Sequence, residues 1–304
     1  MSVCIAAIAR DSGICVCSDK MVSLFGGAMT GPFMSKGHVL ERLPSGWFAF
    51  VAGDDVSGAI PVTKQAREML SDKDRHGVKE VSEAVAQAFQ AEKLKRATDN
   101  VLSPYDIDMK TFLSNGVLMF GDSGYAILRD RIEKVRLNMS MLVAGFDVDD
   151  EPQIFTVTEP EKDSGYVTFF TQPGFWAIGS GDHNALVRLA IRGQNEFCTI
   201  EETVYNVIEA KAAAEFAHGV GDITFLAVHY PKGQPIKFLS TGSNVTAAVR
   251  SAAKAALRPS VPEAVMDIIR NNLRSTEQST SQKSDSSSQA DGESAETDPN
   301  RSGG

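Results

Sequence analysis

The second residue of the chain, Ser2, stands directly before an apolar stretch that begins at Val3. If Met1 is removed, Ser2 carries a hydroxyl group and a free α-amine on one residue. An α-amine has a pKa of about 7.7 to 8.0, so part of it is neutral near pH 7 and can accept the hydroxyl proton during attack on a carbonyl carbon. The start of the chain therefore favours a nucleophile that supplies its own base.

Such a nucleophile needs a cation beside it, a carboxylate that holds the cation, and backbone N–H groups that receive the charge of a tetrahedral intermediate. Asp19 ends the hairpin partner of the first predicted strand, so it can return close to Ser2. Lys36 starts the following strand and can reach the same point. His38 is an alternative cation, because residues two apart in a strand share a face. Gly53 follows a buried strand and exposes an N–H without a side chain in the way.

Turn residues and hydrophobic patterns predict the elements that would position these residues. Residues 3–10 and 13–18 form a predicted hairpin around Asp11-Ser12-Gly13. Further strands are predicted over residues 36–43, 47–52, 139–145, 153–158, 165–170, 175–179, 222–229 and 236–240. Helices are predicted over residues 56–71, 79–97, 183–193, 199–217, 244–256 and 261–274, with glycine-interrupted helical pieces over 104–137. Strands that are segregated from helices predict helices packed on sheets in layers, not alternating βαβ units.

Helix starts are predicted from capping residues. Asp54 or Asp55 is expected to cap the first helix, and Asp182 the helix over 183–193. Thr199 and Glu202 have the spacing of a capping box.

Composition excludes several functional classes. The chain has 304 residues, of which 42% are hydrophobic and 23% charged, as in an ordinary globular protein. Its formal net charge of -9 argues against a nucleic-acid partner. No apolar run approaches the roughly 18 residues of a membrane helix, so a cytoplasmic protein without a membrane partner is expected. The cysteines are predicted to be buried and reduced, because they are too few and too dispersed for a disulfide framework; they are Cys4, Cys15, Cys17 and Cys198.

Several short segments, in this order and at this spacing, resemble the proteasome β-subunit-like N-terminal nucleophile hydrolases, and among these the bacterial Anbu type. The segments that carry the resemblance are Ser2-Val3-Cys4-Ile5-Ala6, Ser18-Asp19, Lys36-Gly37-His38-Val39-Leu40-Glu41-Arg42, Val51-Ala52-Gly53, Leu142-Val143-Ala144-Gly145-Phe146-Asp147, Ala177-Ile178-Gly179-Ser180-Gly181 and Gly221-Asp222-Ile223. The resemblance implies an α+β fold, a four-layer αββα sandwich over residues 1–240. A helical extension over 241–274 and a disordered, acidic, Ser-rich tail over 275–304 are expected to follow.

The resemblance also implies a role for individual residues. Ser2 matches the nucleophile, where most of the family has Thr. Asp19 and Lys36 match the family's Asp and Lys. Gly53 matches the glycine of the oxyanion hole, and Ser180 matches the serine that hydrogen-bonds the terminal amine.

One pair departs from the family pattern. Where the family commonly has Asp followed three positions later by Ser, this chain has Glu215 and His218. A longer acid can still orient the amine, whereas histidine in place of serine changes both size and charge. The alternative is that Glu215 and His218 only cap the end of a helix.

The function that the resemblance implies is that of a peptidase or amidohydrolase acting on peptides or unfolded protein. Its subunits are expected to assemble with identical copies into a ring or an open helical stack, and the resemblance leaves an unfolding ATPase open as a partner. No cofactor and no metal are expected. The departure at Glu215 and His218 keeps two other functions open, a catalytically silent structural subunit and a peptide-binding scaffold of the same fold. A non-peptide amidase is a further alternative, because the resemblance identifies the nucleophile better than the substrate.

Overall fold

The computed structural model describes residues 2–19, 22–24, 27–29, 40–43, 46–160, 165–231, 236–239, 244–257 and 263–270. The predicted cations Lys36 and His38 and the predicted tail 275–304 lie outside these ranges. The chain up to Leu257 forms one compact unit, and the helical stretch 263–270 belongs to a second one. Within the described ranges, no helix combines the length and the apolar character needed to cross a bilayer.

The described strands are β1 Val3–Ile8, β2 Ile14–Asp19, β3 Val22–Leu24, β4 Gly27–Met29, β5 Leu40–Arg42, β6 Phe48–Gly53, β7 Met139–Phe146, β8 Pro152–Val157, β9 Val167–Phe169, β10 Phe175–Gly179, β11 Thr224–His229 and β12 Lys237–Leu239. The helices of the first unit are α1 Ala59–Met69, α2 Val78–Ala97, α3 Met109–Glu133, α4 Asp182–Ile191, α5 Ile200–Ala214 and α6 Asn244–Ala256. These elements agree closely with the predicted hairpin, strands and helices.

The strands form two five-stranded antiparallel sheets, in the orders β10-β1-β2-β11-β12 and β5-β6-β7-β8-β9. β3 and β4 pair with each other in a small hairpin. Consecutive elements run as strands, helices, strands, helices and strands, followed by α6, so the predicted segregation of strands from helices is confirmed. β12 lies at the edge of its sheet.

Both faces of β1 are buried, which explains why its sequence is continuously apolar. One face packs against the second sheet in a cluster that includes Cys4, Ala6, Ile8, Phe48, Phe50, Leu142 and Ile154. The other face packs against α4 and α5 in a cluster that includes Val3, Ile5, Ala7, Leu189, Val207 and Ile208. The far face of the second sheet is covered by α1 and α2 in a cluster that includes Trp47, Val62, Val85, Phe89, Val143 and Phe155.

Two predicted helix caps are wrong. Helix α1 begins only at Ala59, after Gly58, and the carboxylate of Asp55 instead accepts hydrogen bonds from Ser57 N (2.9 Å) and Arg96 Nη1 (2.6 Å). Helix α4 begins at Asp182 itself, after Gly181. In both cases a glycine takes the position before the helix, so the acidic side chain is one or more residues away from the capping position.

The predicted capping box of α5 is confirmed. The hydroxyl of Thr199 accepts the backbone N–H of Glu202 at 3.3 Å, and the Glu202 carboxylate accepts that of Thr199 at 2.8 Å. Helix α5 ends at Ala214, three residues before the predicted end. Helix α3 continues through two of its glycines and is broken only at Gly121, whose φ of 66° is non-helical.

Candidate active site

Of the predicted site residues, Ser2, Asp19, Gly53 and Ser180 lie at one end of the two sheets, whereas Lys36 and His38 are outside the described residues. Because β1 runs antiparallel to both of its neighbours, its first residue lies beside the last residue of each. Val3 pairs with Gly179 of β10, and the ladder between β1 and β2 reaches Cys4 and Ser18, next to Asp19. A Cβ on Gly179 would lie 3.2 Å from the Cβ of Ala52 in the other sheet, so the ends of β10 and β6 are close.

The peptide group between Ser2 and Val3 is held on both sides. Its N–H, from Val3, donates to Asp19 Oδ1 at 3.2 Å. Its carbonyl oxygen, from Ser2, accepts the Ser180 hydroxyl at 3.4 Å and the backbone N–H of Gly181 at 3.5 Å. Ser2 itself is only 3% exposed. The Ser2–Val3 peptide group is therefore fixed by residues 16 and 178 positions away in the sequence, and a nucleophile requires such a rigid placement.

Asp19 connects this peptide group to a second part of the chain. The residue is fully buried, and its Oδ2 accepts the backbone N–H of Gly221 at 2.9 Å. Gly221 lies in the loop that follows α5. One carboxylate thus positions both the start of β1 and the loop that leads into β11.

A cleft of about 670 Å³ opens beside this end of the sheets. It is lined by Ala52, Gly53, Asp54, Arg136, Asn138, Met139, Ser140, Thr158, Glu159, Gly165, Thr168, Gly179 and Ser180. Gly53 and Ser180, both predicted site residues, thus lie in its wall. The largest charge cluster of the wall centres on Glu159, whose Oε2 lies 3.0 Å from Lys93 Nζ and 3.1 Å from Arg136 Nε. The cleft is large enough for a peptide segment, and its wall carries both signs of charge.

The two residues that depart from the family pattern lie in different surroundings. The Glu215 carboxylate pairs with Lys211 at 2.7 Å, Arg250 at 2.9 Å and Lys254 at 2.9 Å. Burial by itself raises the pKa of Glu215, but the hydrogen bond and charge of Lys211, together with the two cations of α6, outweigh burial and hold this pKa below its ordinary value. His218 is exposed. The described hydrogen bonds of Glu215 therefore lead to α6 and Lys211.

Two parts of this site were not predicted. Lys211 is 1% exposed in α5, and its Nζ donates to Glu215 Oε1 and to the carbonyl oxygen of Gly221. A signal for it was present, because Lys211 interrupts a run of alanines that α5 buries on all sides and stands four residues before Glu215. The pairing of Glu159 with Arg136 and Lys93 had no comparable signal, since it joins three separate elements.

Three of the four cysteines are buried as predicted. These are Cys4, Cys15 and Cys17, whereas Cys198 is partly exposed, so the prediction of a buried thiol is wrong there. Burial raises the pKa of Cys17 to about 12, even though the charge of Lys211 acts in the opposite direction. Among the described residues, no group of three or more His, Cys, Asp or Glu side chains is arranged to hold a metal ion.

Comparison with known proteins gives matches among solved structures, whereas no protein-family model and no curated protein sequence matches the chain. The Gly-1 mutant of Anbu from Hyphomicrobium sp. strain MC1 is 14% identical, with a TM-score of 0.56 and coverage of 88% of this chain and 99% of that one. A second structure of Anbu from this strain is 14% identical, with a TM-score of 0.54 and coverage of 84% and 95%. Anbu (ancestral beta-subunit) from Yersinia bercovieri is 11% identical, with a TM-score of 0.56 and coverage of 86% and 99%. At these identities the matches show the fold, so the resemblance seen in the sequence is confirmed at that level: this chain has the fold of the bacterial, proteasome-like Anbu structures.

Proposed function

We propose that this protein is an N-terminal serine peptidase or amidohydrolase whose nucleophile is Ser2 after removal of Met1. The observation that carries the proposal is the double hold on the Ser2–Val3 peptide group, by Asp19 on one side and by Ser180 and Gly181 on the other. Ser180, which donates to the Ser2 carbonyl oxygen, lines a cleft together with Gly53, and this supports the proposal. The similarity to the Anbu structures also supports the proposal, because the resemblance seen in the sequence implies an N-terminal nucleophile for proteins of this fold.

In the proposed cycle, the Ser2 oxygen attacks the carbonyl carbon of an amide, and the α-amine of Ser2 takes the hydroxyl proton. The N–H of Gly53 stabilises the oxyanion of the tetrahedral intermediate. When the C–N bond breaks, the leaving amine takes the proton from the α-ammonium group, and an ester with Ser2 remains. Water then attacks the ester with the α-amine as base, which releases the acid and restores Ser2. Lys36, outside the described residues, is the proposed cation of this site, with His38 as its alternative.

The proposal extends to fold and assembly. The three hydrophobic clusters, two between helices and a sheet and one between the sheets, support a four-layer αββα sandwich. We expect identical subunits to assemble around the active sites in the cytoplasm and to act on peptides or unfolded protein. Size-exclusion chromatography with light scattering tests assembly, and a persistent monomer contradicts this part of the proposal.

Intact-mass spectrometry tests the nucleophile. We expect the purified protein to lack Met1 and to gain one acyl group when it is incubated with a β-lactone. Ser2→Ala should remove this label. Ser140→Ala is the matched control, because Ser140 also lines the cleft and the variant should keep the label. Retention of Met1, or a label that survives Ser2→Ala, would contradict the proposed nucleophile.

A catalytically silent subunit or a peptide-binding scaffold of the same fold is the second candidate. Two observations favour it: Glu215 is paired with three cations, and His218 is exposed. Neither residue is therefore in the surroundings expected of the Asp and Ser that the family has at these positions. A protein that lacks Met1 but takes no label, and that still binds unfolded polypeptide in a fluorescence anisotropy titration, would support this candidate.

A further inference from the structure

A buried ammonium group lies behind the candidate active site. Lys211 is 1% exposed, in a part of α5 where its neighbours from Asn206 to Ala214 are all buried. A lysine loses its hydration there, so it is retained only where hydrogen bonds and an opposite charge compensate it. Its described partners are Glu215, one turn further along α5, and the carbonyl oxygen of Gly221.

Gly221 connects this lysine to the site. Its carbonyl oxygen accepts the hydrogen bond from Lys211, and its N–H donates to Asp19 Oδ2 at 2.9 Å. Asp19 Oδ1 in turn accepts the N–H of Val3, in the peptide group that carries Ser2. Lys211 is therefore linked to the candidate nucleophile through Gly221, Asp19 and Val3, and all three of these residues are buried.

Glu215 supports the lysine from the other side. Its side chain is 14% exposed, and its carboxylate forms ion pairs with Arg250 and Lys254 of α6 in addition to Lys211. Because two further cations surround it, removal of the Lys211 charge does not leave Glu215 unpaired. The loss of Lys211 would therefore mainly affect Gly221, because its carbonyl oxygen would lose the hydrogen bond that it accepts from the Lys211 ammonium group.

We propose that Lys211 is a positioning residue of the Ser2 site, acting through Gly221 and Asp19; this inference rests on the proposed function. Without the lysine, the loop after α5 is free to move, the Gly221 N–H moves away from Asp19, and the carboxylate no longer fixes the peptide group of Ser2. A displacement of about 1 Å at a reacting group can cost about 100-fold in rate. In this arrangement Glu215 acts on Lys211 and not on the terminal amine.

Lys211→Met tests the inference, because methionine keeps an unbranched side chain and removes the charge. We expect the saturating rate constant for acylation of Ser2 by the β-lactone to fall about 10- to 100-fold. The lactone concentration at half-saturation and the final labelled fraction should stay as in the wild type. A variant that merely unfolds in part would instead lose labelled fraction. Lys211→Arg, which keeps the charge, should recover part of the rate.

Arg188→Met is the matched control. Arg188 of α4 pairs with the buried Glu209 of α5, the helix that also carries Lys211. Glu209 keeps Arg192 as a second cation, so this variant also removes one cation from a buried carboxylate. We expect it to lower the unfolding temperature but to acylate at the wild-type rate. Equal acylation rates in Lys211→Met, Arg188→Met and the wild type would overturn the inference.

Hydrogen exchange separates this inference from the proposed function. The N–H groups of Val3 and Gly221 both donate to Asp19, so Lys211→Met should speed their exchange about 10-fold or more, whereas Arg188→Met should not. If the wild type takes no label, the proposed function fails, and faster exchange in Lys211→Met still shows that the lysine positions this peptide group. Unchanged exchange at both N–H groups would overturn the positioning role whatever the labelling result.

Discussion

The carbonyl oxygen of Ser2 lies 2.1 Å from the point where a Cβ would stand on Gly179. The two residues are neighbours because Val3 pairs with Gly179 at the ends of β1 and β10. Gly179 also has a φ of 106°, a conformation that residues with a side chain rarely adopt. The two strand ends can therefore approach this closely only because residue 179 is a glycine and has no side chain.

Gly179→Ala is expected to destabilise the protein by about 3 kcal/mol or more, because the new methyl group must displace Ser2 or unpair the two strand ends. Urea unfolding followed by circular dichroism measures this change. Gly193→Ala is the matched control: its φ of 65° is also positive, but a Cβ there meets no atom within 4 Å. The control should cost only about 1 kcal/mol of backbone strain. Equal losses in the two variants would show that the contact with Ser2 is unimportant.

Glu215 makes the stability depend on pH. Its pKa is lowered in the folded protein, so its contribution is fully present above the pKa of the unfolded chain, about 4.3. That contribution is lost as the pH falls through the folded pKa. Glu215→Gln should therefore cost about 1 to 3 kcal/mol at pH 7, and the difference from the wild type should shrink as the pH is lowered from 5 towards 3. Urea titrations at several pH values check this.

Glu133→Gln provides the control for this pH series. Its carboxylate pairs with Arg129 at 2.9 Å, but both side chains are more than 60% exposed. An exposed pair of this kind contributes little, so this variant should follow the wild type across the pH range. A Glu215→Gln curve that runs parallel to the wild type down to pH 3 would show that the buried cation cluster does not depend on the charge of Glu215.

The thiols should differ in reactivity. Burial raises the pKa of Cys17 to about 12 and that of Cys15 well above its usual range, and Cys4 is fully buried. Only Cys198 is partly exposed. A disulfide reagent at pH 8 should therefore modify one of the four thiols quickly in the native protein and all four after unfolding. Fast native modification of more than one thiol, or of a Cys198→Ser variant, would contradict the burial described here.

The elements that could be predicted from the sequence are those encoded locally. The first hairpin follows from apolar residues around Asp11-Ser12-Gly13, and α6 was predicted over the same residues, 244–256, that it occupies. The capping box at Thr199 is also a local pattern. Where prediction failed locally, at the starts of α1 and α4, a glycine and not the predicted acidic residue took the position before the helix.

The site was only partly predictable, because its contacts join distant segments. The proximity of Asp19 to Ser2 follows from the hairpin, which is why the sequence could suggest it. The link from Lys211 through Gly221 to Asp19 requires the loop after α5 to fold back onto β2, and no local pattern encodes that contact. A charged residue within a buried helix gives a signal that a partner exists, but it does not say which one.

The wall of the cleft gives a prediction about substrate charge that rests on the proposed function. Glu159 has a side chain that is 14% exposed and pairs with both Lys93 and Arg136, so Glu159→Gln removes the carboxylate that these two cations share among the described residues. For peptide amides with an acidic side chain near the cleaved bond, KM should then fall by about 3- to 10-fold. For those with a basic side chain there, KM should rise by a similar factor. This corresponds to a Coulomb energy of about 1 kcal/mol at a partly exposed site.

Lys93→Met removes a cation from the same cluster and should shift the preference in the opposite direction. Matched acidic and basic fluorogenic peptides measure both shifts, and a change of the same sign in the two variants would show that loosening of the wall, not its charge, governs binding.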